Sequence, residues 1–189
     1  MAVLAGGAGR RLGGAKATVS LAGRPLIAYP IAAARAAGLE PVVVAKPGSP
    51  LPQLDCGLIE EPTRPSHPAC GVLAALDHAA GGPVIALACD MPFIAPELLV
   101  WLADLEGAAA ACVDGRPQPL LARYLAGDRP ALERALRDSA PLHSVLAGAR
   151  LLNERELERF GEPRLLCFAV NDAADLALAE REIAARSDR

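Results

Sequence analysis

The stretch Met1-Ala2-Val3-Leu4-Ala5-Gly6-Gly7-Ala8-Gly9-Arg10-Arg11-Leu12-Gly13-Gly14-Ala15-Lys16 decides how the rest of the chain is read. Residues 1–5 form a short apolar run, the pattern of a buried strand. That run opens without a spacer into a loop holding five glycines, two arginines and a lysine. Glycine has no Cβ, so its backbone N–H can face a ligand at close range. Arginine and lysine bring positive charge to the same place. A strand leading into such a loop is the chemistry of a polyphosphate cradle. A merely flexible basic loop is the plain alternative. The interleaving of glycines with cations, and the lack of a Ser/Thr linker composition around them, argue against it.

Outward from that strand, apolar runs alternate with helical patterns. A helix is expected over 25–37, with Pro25 in its first turn and Gly38 as its C-terminal cap. Val42-Val43-Val44 centres a second buried strand over 41–45. Residues 46–55 and 61–68 are Pro-rich loops around a short strand at 57–60, and a helix follows over 69–80. Val84-Ile85-Ala86-Leu87 marks a third strong strand over 83–88, followed by a helix over 95–105. Asp114-Gly115 between the apolar runs 108–113 and 118–124 signals a turn. Helices are expected at 129–138, 142–147, 154–160 and 173–186, with strands at 150–152 and 165–170. Continuous apolar strands alternating with helices predict an α/β protein with a mostly parallel sheet covered on both faces, a Rossmann-like three-layer α/β/α sandwich. No linker divides the chain, so residues 1–189 are expected to form a single domain.

Composition narrows the function classes. The chain is 52% hydrophobic and 22% charged, a globular balance, and with 3% aromatics its core must rest on Ala, Leu and Val. A net charge of −3 gives no electrostatic case for nucleic-acid binding. Cys56, Cys70, Cys89, Cys112 and Cys167 are scattered and odd in number, which fits neither a disulfide framework nor a zinc cluster. They read as small buried hydrophobes in a reducing compartment. No apolar run is long enough to cross a membrane, and residues 1–5 are too short for a signal-peptide core. A cytoplasmic protein without a membrane or nucleic-acid partner is expected.

In an open α/β sheet, ligands gather at the carboxyl ends of the strands. Three features fall there: the glycine loop, Cys89-Asp90-Met91-Pro92 after the third strong strand, and Val170-Asn171-Asp172 after the last expected strand. A carboxylate beside a phosphate cradle repels the nucleotide unless a divalent cation lies between them. Mg²⁺ favours one or two carboxylates plus phosphate oxygens, so Asp90 is the candidate metal ligand. Its alternative is a turn or N-cap aspartate ahead of the next helix. A Walker A loop fails, because Ala15 separates Gly14 from Lys16 and Ala17 stands where Ser or Thr should follow. A dinucleotide fingerprint fits poorly: Gly7, Gly9 and Gly13 are misspaced, and the second strand ends in Ala45-Lys46 without an acid.

Leu4-Ala5-Gly6-Gly7, Arg11-Leu12-Gly13 and Lys16, together with Cys89-Asp90-Met91-Pro92, resemble the molybdenum cofactor guanylyltransferase family and its cytidylyltransferase relatives. Leu58-Ile59-Glu60-Glu61 followed by Gly71-Val72-Leu73-Ala74-Ala75-Leu76, then Gln118-Pro119-Leu120-Leu121-Ala122-Arg123-Tyr124, and finally Val170-Asn171-Asp172-Ala173-Ala174-Asp175-Leu176 agree with that family in order. The resemblance implies a fold of the nucleotide-diphospho-sugar transferase type. It implies nucleotide contacts from Leu4, Ala5, Gly6 and Gly7, and phosphate contacts from the catalytic Arg11 and Lys16. Glu61 would lie on the nucleotide side and Asp90 would bind Mg²⁺. Asn171 would lie near the metal or the acceptor, with Gln118 and Pro119 on the substrate side. The sequence departs from the family's pattern in three places: Ala15 replaces an acid before the lysine, Ala45-Lys46-Pro47 replaces a base-reading Asn, and Glu61 replaces an Asp.

The reaction so implied is attack by a molybdopterin phosphate oxygen on the α-phosphorus of an NTP, with pyrophosphate leaving. GTP is the expected donor, molybdopterin or molybdenum cofactor the acceptor, and a molybdoenzyme or its chaperone a further partner. A phosphate monoester is already anionic near neutral pH, so no base is needed. This suits a chain whose His67, His78 and His143 are isolated; of these, His67 lies in the loop ahead of Gly71, where it could touch substrate. CTP as donor, a sugar phosphate as acceptor, and a catalytically idle nucleotide-binding partner of a molybdoenzyme stay open. The retention of Arg11, Lys16 and Asp90 speaks against the idle form, and the glycine spacing speaks against an NADP oxidoreductase.

Overall fold

The computed structural model describes residues 1–7 and 14–187. Its strands are β1 (Ala2–Leu4), β2 (Ser20–Leu21), β3 (Arg24–Pro25), β4 (Val42–Ala45), β5 (Gly57–Glu60), β6 (Val84–Ala88), β7 (Ala109–Val113), β8 (Arg116–Tyr124) and β9 (Arg150–Leu152). The helices are α1 (Ala28–Ala36), α2 (Pro68–His78), α3 (Pro96–Asp104), α4 (Arg129–Arg137), α5 (Glu154–Leu157), α6 (Pro163–Leu166) and α7 (Ala173–Ser187).

Seven strands form one sheet in the order β5-β4-β1-β6-β8-β7-β9, and β2 pairs with β3 apart from it. Strand β1 lies between parallel β4 and β6, with Val3 facing Val43 on one side and Leu87 on the other. Strand β8 runs antiparallel to both β6 and β7. The sheet is therefore mostly parallel, as expected, with one reversed strand where the Asp114-Gly115 turn folds β8 back on β7. Both turn residues take positive φ, 52° and 69°, which is the type I′ geometry that suits a two-residue hairpin.

Successive residues of β1 alternate between the two faces. Ala2 and Leu4 join the cluster under α2 and α4, with Val72, Leu76, Ala86 and Leu132. Val3 and Ala5 face the opposite layer, with Ile27, Ile31 and Val43. Leu98, Leu99 and Leu102 of α3 are fully buried on Ile85 and Leu87. Fully buried alanines such as Ala86, Ala110 and Ala122 fill the sheet interior, which explains how so few aromatics suffice. Cys70 and Cys89 are buried, but Cys56, Cys112 and Cys167 are only partly so. Among the described residues, no helix is long and apolar enough to cross a membrane.

Four expectations need correction. The helix expected from Pro25 begins at Ala28, because Arg24 and Pro25 pair with Leu21 and Ser20 across a turn at Ala22-Gly23, where φ is 48° and 77°. Gly38 does end α1: Leu39 N–H donates to Ala34 O and Gly38 N–H to Arg35 O, the paired bonds of a left-handed cap. The strand expected over 165–170 is absent from the structure. Glu162 caps a short helix there by accepting from the N–H groups of Arg164 and Leu165, and Pro163 fills its first turn. Finally, residues 142–148 form a 3₁₀ helix, and the expected helix over 154–160 shortens to α5.

Candidate active site

The sheet's backbone ladder continues past the strand ends and sets the site in register. Ala5 N–H donates to Val44 O at 2.8 Å, Cys89 N–H to Leu4 O at 3.1 Å and Glu61 N–H to Ala45 O at 2.9 Å. The glycine loop, Lys46, Glu61 and Asp90 thus leave the carboxyl ends of β1, β4, β5 and β6 side by side. They border a cavity of about 290 Å³ that also takes in Leu4, Lys16 and His67.

At one end, the Lys16 ammonium lies 2.5 Å from Asp90 Oδ2 and 2.6 Å from Asn171 Oδ1. Lys16 opens a 3₁₀ turn over Lys16–Thr18 in which Thr18 Oγ1 donates to Ala15 O. The Asn171 amide is oriented because its Nδ2 donates to Ala169 O, which leaves Oδ1 to accept from the lysine. Val170 N–H donates to Asp90 O at 2.9 Å. That bond brings the segment after α6 to the sheet's carboxyl edge without a strand. Asp90 is not a helix cap, since Ala95 fills that position for α3. Its side chain has 10% exposure and Lys16 18%, so water screens this pair far less than a surface pair. Asp90 Oδ1 has no hydrogen bond among the described residues.

At the other end, Glu61 is 6% exposed and seated against two glycines. A Cβ on Gly6 would stand 2.0 Å from Glu61 Oε1, and one on Gly71 would stand 2.9 Å from Oε2 and from Leu4 Cδ2. Gly6 and Gly71 are therefore required by close approach of a carboxylate. Burial lifts the Glu61 carboxyl above the ordinary glutamate range, while the nearby Lys46 charge pulls it back. Lys46 donates to Ser66 Oγ at 2.9 Å. His67 caps α2: its Nδ1 accepts from Ala69 N–H at 3.1 Å and its Nε2 lies 2.8 Å from Ala140 O. The two bonds together require the neutral tautomer with the proton on Nε2.

Of the residues singled out in the sequence, Leu4, Gly6, Gly7, Lys16, Glu61 and Asp90 border the one cavity. Ala5 is buried in the ladder beneath it. Asn171 reaches it through Lys16. Arg11 lies outside the described residues. Gln118 and Pro119 do not border the cavity: Gln118 Nε2 donates to Arg116 O, and Pro119 O accepts from Tyr124 Oη. Leu120 is the residue of that segment that does. The sequence offered no functional reason to pick Ser66, and it placed Leu120 in the Gln118–Tyr124 segment without singling it out.

Mg²⁺ can be tested against this donor set. Among the described residues, no group of three or more His, Cys, Asp or Glu side chains could hold a metal. At the Lys16 end the described residues offer one carboxylate, Asp90, and one amide oxygen, that of Asn171, which shares the lysine. That is too little for an all-protein site but suits a hard cation whose remaining ligands are phosphate oxygens and water.

A glycine loop and an aspartate on neighbouring parallel strands, tied by a lysine, define a nucleotidyltransferase-type α/β protein, the class of its structural neighbours. The chain belongs to the MobA-like NTP transferase domain family, whose model matches residues 1–160. It is similar to the molybdenum cofactor guanylyltransferase of Acidiphilium cryptum, 34% identical over 94% of this chain and 92% of that one. The namesake protein of Cereibacter sphaeroides is 36% identical, but the match covers 62% of this chain and 64% of that protein, under two thirds of its length. Among solved structures, molybdopterin-guanine dinucleotide biosynthesis protein A from Archaeoglobus fulgidus superimposes with a TM-score of 0.80 at 28% identity, covering 98% of each chain.

Proposed function

We propose that this protein is a nucleotidyltransferase that moves GMP from GTP onto the terminal phosphate of molybdopterin or molybdenum cofactor. An acceptor phosphate oxygen bonds to the α-phosphorus, the α–β anhydride bond breaks, and pyrophosphate leaves with the electron pair. The reading rests on one observation above others: the Lys16 ammonium is shared by Asp90 and Asn171 at the mouth of the glycine loop. The relatives' names support the choice of guanine and of the acceptor.

The chain's own residues have distinct tasks in this reading. The backbone amides of Gly6 and Gly7, with Leu4 and Ala5 behind them, hold the nucleotide. Lys16, with Arg11 from the same loop, neutralises charge on the transferring and leaving phosphates. Asp90 would hold Mg²⁺, with Asn171 close by; when bound, the ion screens the two anions from one another. Asn171 orients the lysine, and Glu61 serves the nucleoside side. No catalytic base is assigned, because the acceptor phosphate, with a second pKa of about 6, already carries the attacking charge. The whole chain would act as one domain, in the cytoplasm, where its free thiols and its substrates are at home.

The test is pyrophosphate release with Mg²⁺ and molybdopterin, or its molybdenum-bound form, comparing GTP, CTP, ATP and UTP. Release with GTP is expected. A preference for CTP would move the protein to the cytidylyl relatives, and silence with all four would leave a nucleotide-binding module.

A further inference from the structure

Lys16 is gripped from two distant parts of the chain. Asp90 follows β6 directly, but Asn171 follows α6, where no strand fixes it. Three hydrogen bonds do that work instead. Asn171 Nδ2 donates to Ala169 O at 2.9 Å, which turns the amide so that Oδ1 meets the Lys16 ammonium at 2.6 Å. The neighbouring Val170, fully buried in a cluster with Leu21, Leu26 and Phe93, sends its N–H to Asp90 O. The third bond comes from outside the cavity: the backbone N–H of Asn171 donates to Asp175 Oδ2 at 2.8 Å.

Asp175 lies in the first turn of α7, where an acidic side chain ordinarily serves the helix itself. Here another residue starts the helix. Asp172 Oδ1 accepts from the N–H groups of Ala174 and Asp175 at 2.9 and 3.0 Å, and Asp172 O accepts from Leu176 N–H. The Asp175 side chain is left to reach back along the chain to Asn171. Asn171 is exposed, so without that acceptor its backbone can turn to water and carry Oδ1 off the lysine. An ammonium that must meet a phosphate in one orientation is sensitive to such a shift.

We propose that Asp175 is a positioning residue for the transfer: by accepting the Asn171 N–H it holds the Asn171 amide on Lys16, and so holds the ammonium where the phosphates react. Asp175 does not border the cavity and acts only through Asn171. The inference rests on the nucleotidyl-transfer reading above and extends it to a residue on α7.

Two readouts test it. In the pyrophosphate-release assay, Asp175→Ala should lower kcat about tenfold while changing the KM for GTP by less than about twofold. Asp175→Asn, which loses the charge but keeps an oxygen acceptor, should restore most of the rate. Asn171→Ala combined with Asp175→Ala should be no slower than Asn171→Ala alone, because the second residue works through the first. Ala177→Gly weakens α7 without touching Asn171, so it should lower the melting temperature and leave kcat unchanged. Multiplying effects in the double variant, an Asn variant as slow as the Ala one, or an equal kcat loss in Ala177→Gly would each overturn the proposal. The second readout needs no nucleotide. Lys16 and Lys46 are the chain's two lysines, so nitrogen NMR of the side-chain ammonium groups shows Lys16 directly. Its signal should shift and broaden in Asp175→Ala and stay in place in Asp175→Asn, with Lys46 unmoved in both; a Lys16 signal indifferent to Asp175→Ala would overturn the proposal. A wild type that releases no pyrophosphate with any NTP would defeat the transfer reading, and the ammonium spectra would still decide whether Asp175 positions Lys16.

Discussion

The two ends of the cavity are built on opposite principles. At the β6 end, Lys16, Asp90 and Asn171 already satisfy one another through bonds of 2.5 and 2.6 Å. At the β5 end, Lys46 bonds Ser66 and acts on Glu61 only through its charge, and the Glu61 carboxylate borders the cavity with no donor among the described residues. The first arrangement holds its charges in place before any ligand arrives, which is how a site stabilises developing charge without reorganising. The second leaves hydrogen-bonding capacity open to the cavity, where a bound ligand can use it. The two carboxylates leave strands β5 and β6, yet Glu61 reaches back to Gly6 at the end of β1, the strand beside β6.

Substitutions that act on one end only put that contrast at risk. Asp90→Ala should lower transfer by about 10³-fold or more while a thermal melt still shows a cooperative transition; an active variant would remove the metal-holding role. Lys16→Ala should lower kcat by about 10²–10³-fold with the GTP-to-ATP preference intact, and a change in that preference would mean the two ends are not independent. Gly6→Ala places a methyl 2.0 Å from Glu61 Oε1, so it should raise the KM for GTP about tenfold, the loss expected for one charged hydrogen bond. A kcat effect of the same size, without a KM change, would contradict the assignment of Gly6 and Glu61 to the nucleoside side.

The smallest effect concerns stability. Burial lifts the Glu61 carboxyl, so just above the ordinary glutamate range the folded chain binds more protons than the unfolded one. Stability from this group is then present at low pH and is lost as pH rises through the lifted value. Glu61→Gln should remove that slope and raise the melting temperature slightly at neutral pH, while weakening GTP. A melting profile with the same pH slope in both proteins would rule out the desolvated carboxylate as its source.

The parts of the fold that were legible are those where one residue pattern has one structural meaning. Val42-Val43-Val44 and Val84-Ile85-Ala86-Leu87 are β-branched or uniformly apolar and bounded by Pro and turn residues, and they became β4 and β6. Leu165-Leu166-Cys167-Phe168-Ala169-Val170 is equally apolar, but a run of that length suits a helical turn as well as a strand. The Glu162-Pro163 start signal decided it in favour of α6. The β2–β3 hairpin escaped because each strand has two residues and its turn begins with Ala22, a non-glycine residue at positive φ. In the site, Lys16 and Asp90 were legible because each follows a strand with a recognisable local signature. The contact between Lys46 and Ser66 spans 20 residues of loop and strand. No local pattern encodes it, and only the adjacency of β4 and β5 creates it.

The bond from Val170 N–H to Asp90 O carries one more consequence. It fastens a segment beyond residue 160, where the family model ends, to the strand end that carries the aspartate. The exchange rate of that single amide proton is therefore a gauge of whether the chain's last stretch is seated. Hydrogen exchange at Val170, followed with and without GTP, would time the docking of the tail against the filling of the cavity.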